Sequence, residues 1–117
     1  MTAEAALMAT DVAVPDSHID LLMRPIVGVL TTMLPDGQPQ SSLVWVDYDG
    51  TCARINTTLE RRKGRDLLAN PRVSLLVVDP ADTSRFVQVR GEAELVTDGA
   101  EAHLDELTRR YTSHPAY

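Results

Sequence analysis

The sequence predicts a small, mainly β protein: an antiparallel barrel with one helix in mid-chain and another near the end. Two observations indicate this class. Short apolar or alternating runs, separated by Pro, Gly and Asp turn signals, recur along the chain as antiparallel strands do. Stretches of helical periodicity interrupt these runs at only a few places. Short strands in this order, with few helices between them, are typical of a barrel decorated by helices.

Length and composition set the outer bounds. The 117 residues predict one domain over residues 15–117, preceded by a mobile arm over residues 1–14. No apolar run approaches the roughly 18 residues of a membrane span, so no membrane partner is predicted. The arm contains Glu4 and Asp11 and lacks a basic start, so it is not a secretory signal and a cytoplasmic location is expected. The net charge of -6 argues against a nucleic-acid partner.

The first half of the chain predicts one helix and a meander of three strands. Ser17 stands three residues before Asp20, the spacing of a helix N-terminal cap, and Pro25 ends that helix. Asp49-Gly50 has the sequence of a two-residue hairpin turn. The lone Cys52 excludes an internal disulfide and reads as a small buried strand residue. The predicted elements are a helix over residues 17–24 and strands over residues 26–33, 38–48 and 51–56.

The second half predicts two helices and two strands. Residues 85–96 alternate apolar and polar side chains, the pattern of a strand with one face in water, and Gly91 within it suggests a bulge or a close approach. A helical stripe near the end of the chain contains Tyr111, with His103 on or beside it, and both are interpreted as packing residues. The predicted elements are a helix over residues 58–69, a buried strand over residues 73–78, the alternating strand, and a helix beginning at residue 100.

Positive charge is concentrated in one stretch of this acidic chain. Five of the 11 Lys and Arg residues lie between Arg61 and Arg72, and Lys63 is the only lysine. Thr57 and Glu60 have the spacing of a capping box that opens a helix. Basic residues at a helix N-terminus oppose its dipole by roughly 0.3–1 kcal/mol each, and a bound anion removes this conflict. The alternative interpretation is a solvated basic turn paired with Glu60 and Asp66.

No motif for protein-based catalysis is present. The sequence has no Ser-His-Asp or Cys-His arrangement, no metal-ligand spacing, and no Walker or Rossmann glycine pattern. We therefore predict no catalytic side chain and no metal ligand. Binding of a ready-made redox cofactor remains the main route to catalysis.

Several segments resemble the flavin-binding split barrel of the pyridoxamine 5'-phosphate oxidase-like proteins, and in particular the branch that uses the 8-hydroxy-5-deazaflavin coenzyme F420. The resemblance spans residues 26–95. It is carried by Ala53-Arg54-Ile55-Asn56-Thr57-Thr58, Arg62-Lys63, Leu67 and Asn70-Pro71-Arg72-Val73-Ser74-Leu75-Leu76.

The resemblance implies a homodimer of split barrels with a deazaflavin or FMN in each groove between subunits. It also implies a role for each matching position. The cofactor phosphate would be held by Thr57, Thr58, Arg61, Arg62 and Lys63. The ring would lie beside the strand Ser41-Ser42-Leu43-Val44-Trp45, and Gln88 would reach it from the partner subunit. Trp45 is interpreted as a core or interface aromatic.

The sequence also departs from the family pattern. Pyridoxamine phosphate oxidases carry an arginine and a lysine where this chain has Ser41 and Val46, so vitamin B6 oxidation is not expected. Relatives usually continue into a final strand beyond the position of Tyr117.

The resemblance implies an oxidoreductase that transfers a hydride between the bound deazaflavin, or FMN, and a small unsaturated or quinone-like acceptor. A non-catalytic FMN-binding carrier or sensor is the alternative. A dimeric scaffold, in which the basic stretch only makes salt bridges, is a third.

Overall fold

The computed structural model describes residues 2–9, 14–59 and 61–117. Within them the chain forms seven strands and three helices. In chain order these are β1 (Thr2–Ala9), α1 (Asp20–Met23), β2 (Gly28–Met33), β3 (Pro39–Val44), β4 (Asp47–Tyr48), β5 (Ala53–Thr58), α2 (Arg62–Ala69), β6 (Arg72–Val78), β7 (Phe86–Val96) and α3 (Ala100–Tyr111). The mainly antiparallel β class with a mid-chain and a C-terminal helix is confirmed.

All seven strands form one antiparallel sheet in the order β3-β2-β6-β7-β1-β5-β4. The two edge strands, β3 and β4, are consecutive in the chain, with only Trp45 and Val46 between them. Two residues can separate the ends of these strands by at most about 11 Å. The sheet therefore has to curl until its edges approach each other, which produces the split barrel.

The same topology corrects one sequence prediction. Residues 38–48 were expected to form a single strand, but β3 ends at Val44 and β4 begins at Asp47. The two halves pair with opposite ends of the sheet, since β3 pairs with β2 and β4 pairs with β5. One straight strand cannot serve both partners, so the chain breaks at Trp45–Val46.

The N-terminal residues, which were expected to form a mobile arm, require the largest correction. Residues 2–9 form β1, which lies between β5 and β7 with a continuous antiparallel register on both sides. Ala3 and Ala5 are fully buried. The prediction of a mobile arm was wrong for these residues because small alanines, which carry a weak strand signal, fill a narrow inner position of the sheet. Residues 10–13 of the predicted arm lie outside the described residues.

The core lies inside the curled sheet. Alternate residues of the strands point inward, and Leu21 and Leu22 of α1 together with Leu67 of α2 pack against them. Leu30, Ile55 and Leu75 are fully buried. The strands and the two short helices thus enclose a single apolar interior, while α3 packs against β1 and β5.

Helix starts were predicted less well than helix positions. Ser17 does not cap α1, which begins after Ile19 without a side-chain cap, and its hydroxyl lies 2.7 Å from His18 Nδ1 instead. Thr57 lies inside β5, and the N-cap of α2 is Arg61, again without a side-chain cap. Glu60, the other half of the expected capping box, lies outside the described residues.

Two further sequence expectations concern β7. The alternation of β7 is confirmed, with Val87 and Val89 buried and Gln88 and Arg90 exposed. Gly91 does not form a bulge, because the register through it is continuous with both β6 and β1.

The hairpin turn is displaced by one residue. Asp49 N–H donates to Cys52 O at 3.2 Å, so Gly50 and Thr51 occupy the centre of the turn. Gly50 has a φ of 98°, which glycine adopts without strain. Cys52 lies in the connection before β5, not in a strand. In the described part of the chain, no helix has the length and apolar character needed to cross a membrane.

Candidate functional site

The N-terminus of α2 presents cations where a helix favours anions. Arg61 is the N-cap in extended conformation, Arg62 and Lys63 are the first helical residues, and no acidic side chain occupies the first turn. The first N–H groups of a helix have no partner within it. Free donors and positive side chains therefore meet at one point, as the sequence predicted, although the helix begins four residues later than expected.

Gly64 allows α2 to lie directly on the end of β5. A Cβ at this position would stand 2.4 Å from Thr58 O and 2.7 Å from Leu59 Cα. No side chain larger than hydrogen fits there without moving the backbone. The close approach brings the start of α2 next to Thr57 and Thr58, a role of Gly64 that the sequence analysis did not recognise.

A cavity of about 540 Å³ opens beside this helix start, within the range of small-molecule sites. It gathers residues from β1, the β3–β4 junction, β5, the start of α2 and α3. The lining residues are Thr2, Val27, Leu43, Val44, Trp45, Asn56, Thr57, Thr58, Arg61, Lys63, Leu104, Leu107 and Tyr117.

The cavity is positive, and the rest of its lining is mixed: Asn56 and three threonines are polar, and the other seven residues are apolar or aromatic. Its lining contains two cations and no Asp or Glu among the described residues. Burial, together with the nearby charge of Arg61, lowers the pKa of Lys63. In the described part of the chain neither Arg61 nor Lys63 is ion-paired. Such a cavity fits a molecule with an anionic end and an apolar body.

The structure brings together six of the ten residues that the sequence analysis proposed for a cofactor. Those six are Leu43, Val44, Thr57, Thr58, Arg61 and Lys63. The other four do not line the cavity of the single chain.

Two of those four lie on the outward face of the sheet, where Ser41 Oγ is 3.2 Å from Thr31 Oγ1 and Gln88 Nε2 donates to Ser74 Oγ at 2.8 Å. Ser42 is half-buried and lies on the opposite face of β3 from Ser41. Arg62 is exposed on α2.

Several lining residues were missed at the sequence level. Asn56 was placed only in a segment that carries the family resemblance, and Leu104 and Leu107 lie in the helical stripe that was predicted near the end of the chain. Trp45 was interpreted as a core or interface aromatic. It lines the cavity and stacks on Tyr111, with ring centroids 5.5 Å apart and planes 15° apart. These residues are distant in sequence, so no local motif could have grouped them.

Behind the cavity wall, a buried polar network joins α3 to the sheet. Arg54 donates to both carboxylate oxygens of Asp47, at 2.9 and 2.7 Å, and His103 Nε2 lies 3.2 Å from Asp47 Oδ1. Burial disfavours the charged carboxylate, but the hydrogen bonds from His103 and Arg54 outweigh it and lower the pKa of Asp47. Asn56 Nδ2 donates to Ala100 O at 2.9 Å and lies 3.1 Å from His103 Nδ1.

This network supports the interpretation of His103 as a packing residue. Its side chain is buried and both of its ring nitrogens have partners within hydrogen-bond distance. Asn56 is the only member of the network that also lines the cavity. Burial raises the pKa of Tyr111, more than its hydrogen bond with Val46 lowers it, so this phenol stays protonated at neutral pH.

The fold is that of a split-barrel protein with a positively charged cavity, and comparisons with known proteins agree with the fold. The profile of the pyridoxamine 5'-phosphate oxidase family matches residues 14–115. The chain therefore belongs to the pyridoxamine 5'-phosphate oxidase-like family.

Curated relatives include pyridoxine/pyridoxamine 5'-phosphate oxidases. That of Cupriavidus metallidurans is 39% identical over 125 aligned positions, which cover 95% of this chain and 54% of the relative. That of Bordetella petrii is 40% identical over 76 positions, 63% of this chain and 35% of the relative. The chain thus spans about a third to a half of the length of these relatives.

Solved structures match over more of their length. An F420 reductase superposes with a TM-score of 0.78 at 40% identity, covering 84% of this chain and 79% of that one. A conserved hypothetical protein from Mycobacterium tuberculosis superposes with a TM-score of 0.71 at 28% identity, covering 94% and 71%. These matches support the split-barrel fold that the strand order indicates.

Proposed function

We propose that the protein is an oxidoreductase that binds coenzyme F420 or FMN in this cavity and transfers a hydride to or from a small unsaturated or quinone-like acceptor. The observation that carries the proposal is the pairing of two cations, Arg61 and Lys63, with an apolar wall in one cavity. Family membership and the likeness to a solved F420 reductase support it.

The residues present fit the chemistry of such a cofactor. Its phosphate would meet Arg61, Lys63, the hydroxyls of Thr57 and Thr58, and the first N–H groups of α2. All of these donate hydrogen bonds, so they suit an anion. The apolar body of the ring would lie against Leu43, Val44 and Trp45, and Leu104 and Leu107 of α3 also line the cavity. Arg62 stands beside this group, exposed on α2, where it adds to the positive field.

The protein's part in the reaction would be binding and orientation. When bound, the cofactor supplies the hydride chemistry. The cavity lining in the described part of the chain has no carboxylate or histidine for proton transfer. Lys63 and Arg61 would fix the anionic end, and the β3 end would fix the ring's position. The apolar lining would keep water from its face.

We further propose that a second copy of the chain completes the site. Leu43 and Phe86 are 73% and 51% exposed. Cross-strand pairing places Val29 and Leu76 between Leu43 and Gln88 on the same outward face. Because Leu43 also lines the cavity, a partner packed on this apolar face would cover the cavity mouth and bring its own Gln88 near it. Sedimentation equilibrium tests this, since a monomer at micromolar concentration contradicts it.

The decisive experiment titrates the protein with FMN, riboflavin and F420. Trp45 is the only tryptophan and lines the cavity, so its fluorescence reports binding. Lys63→Ala removes a charge-assisted contact worth roughly 1.5–3 kcal/mol, and should weaken FMN or F420 about ten- to hundredfold. Riboflavin, which lacks the phosphate, should be affected much less.

Arg65→Ala is the matched control, because Arg65 is exposed on the same helix and does not line the cavity. Unchanged FMN and F420 affinities in Lys63→Ala would reject the phosphate site. Binding without oxidation of the reduced cofactor by any quinone would leave a carrier or sensor as the function.

A further inference from the structure

The hydroxyl of Tyr111 sits where the sheet passes from one edge to the other. It accepts a hydrogen bond from Val46 N–H at 2.9 Å. As a donor it lies 2.8 Å from Ile26 O and 2.9 Å from Val46 O, and its single proton is shared between these two carbonyls. One side chain of α3 thus binds backbone groups of two separate segments.

Those segments have no strand partner of their own. Val46 falls between β3 and β4, and Ile26 precedes β2. Backbone groups outside a ladder still need partners when they are shielded from water. At the split between the two sheet edges, the Tyr111 hydroxyl takes the place that a neighbouring strand occupies elsewhere in the barrel.

The segments held in this way continue directly into the cavity. Val27 follows Ile26, and Val44 and Trp45 precede Val46; these three residues line the cavity. The Tyr111 ring also stacks on Trp45. Tyr111 itself does not line the cavity, so any effect it has on a ligand passes through these neighbours.

We propose that Tyr111 is a positioning residue for the ring of the bound cofactor: its hydroxyl holds the β3–β4 junction and the start of β2 in place, so that Trp45 and the end of β3 form a ready-made wall. This inference rests on the proposed function. A wall ordered before binding costs less conformational entropy when the ligand arrives. Removal of the hydroxyl should therefore weaken ring binding and leave the phosphate contacts unchanged.

Tyr111→Phe tests this, because it keeps the aromatic stack and deletes only the hydroxyl. The probes are FMN and riboflavin, or F420 and its phosphate-free 8-hydroxy-5-deazariboflavin part, whichever ring the wild-type protein binds. The dissociation constants of both probes should rise by the same factor, about five- to twentyfold. Lys63→Ala, in contrast, should affect mainly the phosphate-bearing probe.

Tyr48→Phe is the matched control, since the Tyr48 hydroxyl donates to Gly50 O at 3.0 Å in the exposed hairpin away from the cavity. If Tyr111 only stabilises the fold, the phenylalanine variant will melt at a lower temperature but bind both probes normally where it is folded. Affinities within twofold of wild type, or a loss confined to the phosphate-bearing probe, would overturn the proposal.

A second measurement needs no variant. Because the wall is ordered before binding, the Val46 amide, bound to the Tyr111 hydroxyl, should already exchange its hydrogen at least tenfold more slowly than an unprotected amide in the ligand-free wild-type protein. Exchange of this amide at the unprotected rate also overturns the proposal. If the wild-type protein binds neither ring, the proposed function fails together with this inference. If it binds one of them and Tyr111→Phe binds it equally well, only this inference fails.

Discussion

Two groups of cations in this protein have opposite surroundings. Arg24 and Arg85, the paired cluster, each lie within salt-bridge distance of both Asp20 and Asp79, which links α1 to the turn between β6 and β7. Arg61 and Lys63, the cavity cluster, have no carboxylate partner among the described residues. Each cluster contains one exposed arginine, Arg24 or Arg61, and one half-buried cation, Arg85 or Lys63, so the two clusters differ in pairing and not in burial.

The difference separates structural charge from functional charge. Paired cations neutralise carboxylates and tie elements together, so the chain supplies everything they need. A half-buried cation without a carboxylate partner lowers the free energy of unfolding. Natural proteins retain such a residue where binding requires it. In an acidic chain with 17 carboxylates, Lys63 has no carboxylate partner among the described residues, which supports the anion site proposed above.

The strongest test of structural pairing is the buried pair Asp47–Arg54. Asp47 is 1% exposed, and among the described residues Asp47→Ala leaves Glu4, 3.4 Å away, as the remaining ion-pair partner of Arg54. We expect a loss of about 3–5 kcal/mol in the free energy of unfolding, measured by urea denaturation. Asp98→Ala, at an exposed turn, is the control and should stay within about 0.5 kcal/mol. A loss below about 1 kcal/mol for Asp47→Ala would show that pairing is not what stabilises this region.

Gly64→Ala tests whether the cavity cluster depends on the close approach of α2 to β5. The added Cβ collides with backbone atoms, and overpacking of this kind costs about 1–3 kcal/mol. We expect lower stability in urea and weaker binding of FMN or F420 as α2 moves away from Thr58. Leu68→Ala, at an exposed position of the same helix, should change neither quantity. Normal cofactor affinity in Gly64→Ala would show that the proposed anion site does not depend on the position of α2.

Matched neutral substitutions compare the two clusters directly. Lys63→Met removes a charge that opposes the α2 dipole, so the ligand-free protein should gain about 0.3–1 kcal/mol of stability. Arg85→Met removes one of the two arginine partners of Asp20 and Asp79 and should lower stability. Both are measured by urea denaturation without ligand. Destabilisation by Lys63→Met would mean that this lysine has a structural role after all.

The smallest expected effect is the pH dependence of the paired cluster. Hydrogen bonding to Arg85 lowers the pKa of Asp20 to about 2, below its ordinary value of about 3.9. A lowered folded-state pKa contributes stability above the ordinary value and loses it as the pH falls through the folded value. Urea midpoints of the wild-type protein should therefore decline between about pH 4 and pH 2, and this decline should be shallower in Asp20→Asn. Identical slopes would contradict the pairing.

The sequence alone determined those features that depend on near neighbours in the chain. The alternation of β7, the apolar run of β6, the helical stripe of α3 and the cations at the start of α2 all follow from local periodicity and charge. Side-chain spacing along a strand or helix is fixed by its geometry, so these patterns can be read directly. The expected split barrel rested on a resemblance carried by the same local segments.

Only the tertiary structure decided which distant segments meet. Weak strand formers made β1 look like an arm, yet β5 and β7 provide its pairing on both sides. The break at Trp45–Val46 exists because the sheet curls until its two edges nearly meet. The hydrogen bond from the Tyr111 hydroxyl to Val46 O joins residues that are 65 positions apart in the chain. Contacts of this range depend on strand order and closure, which leave no periodic trace in the sequence.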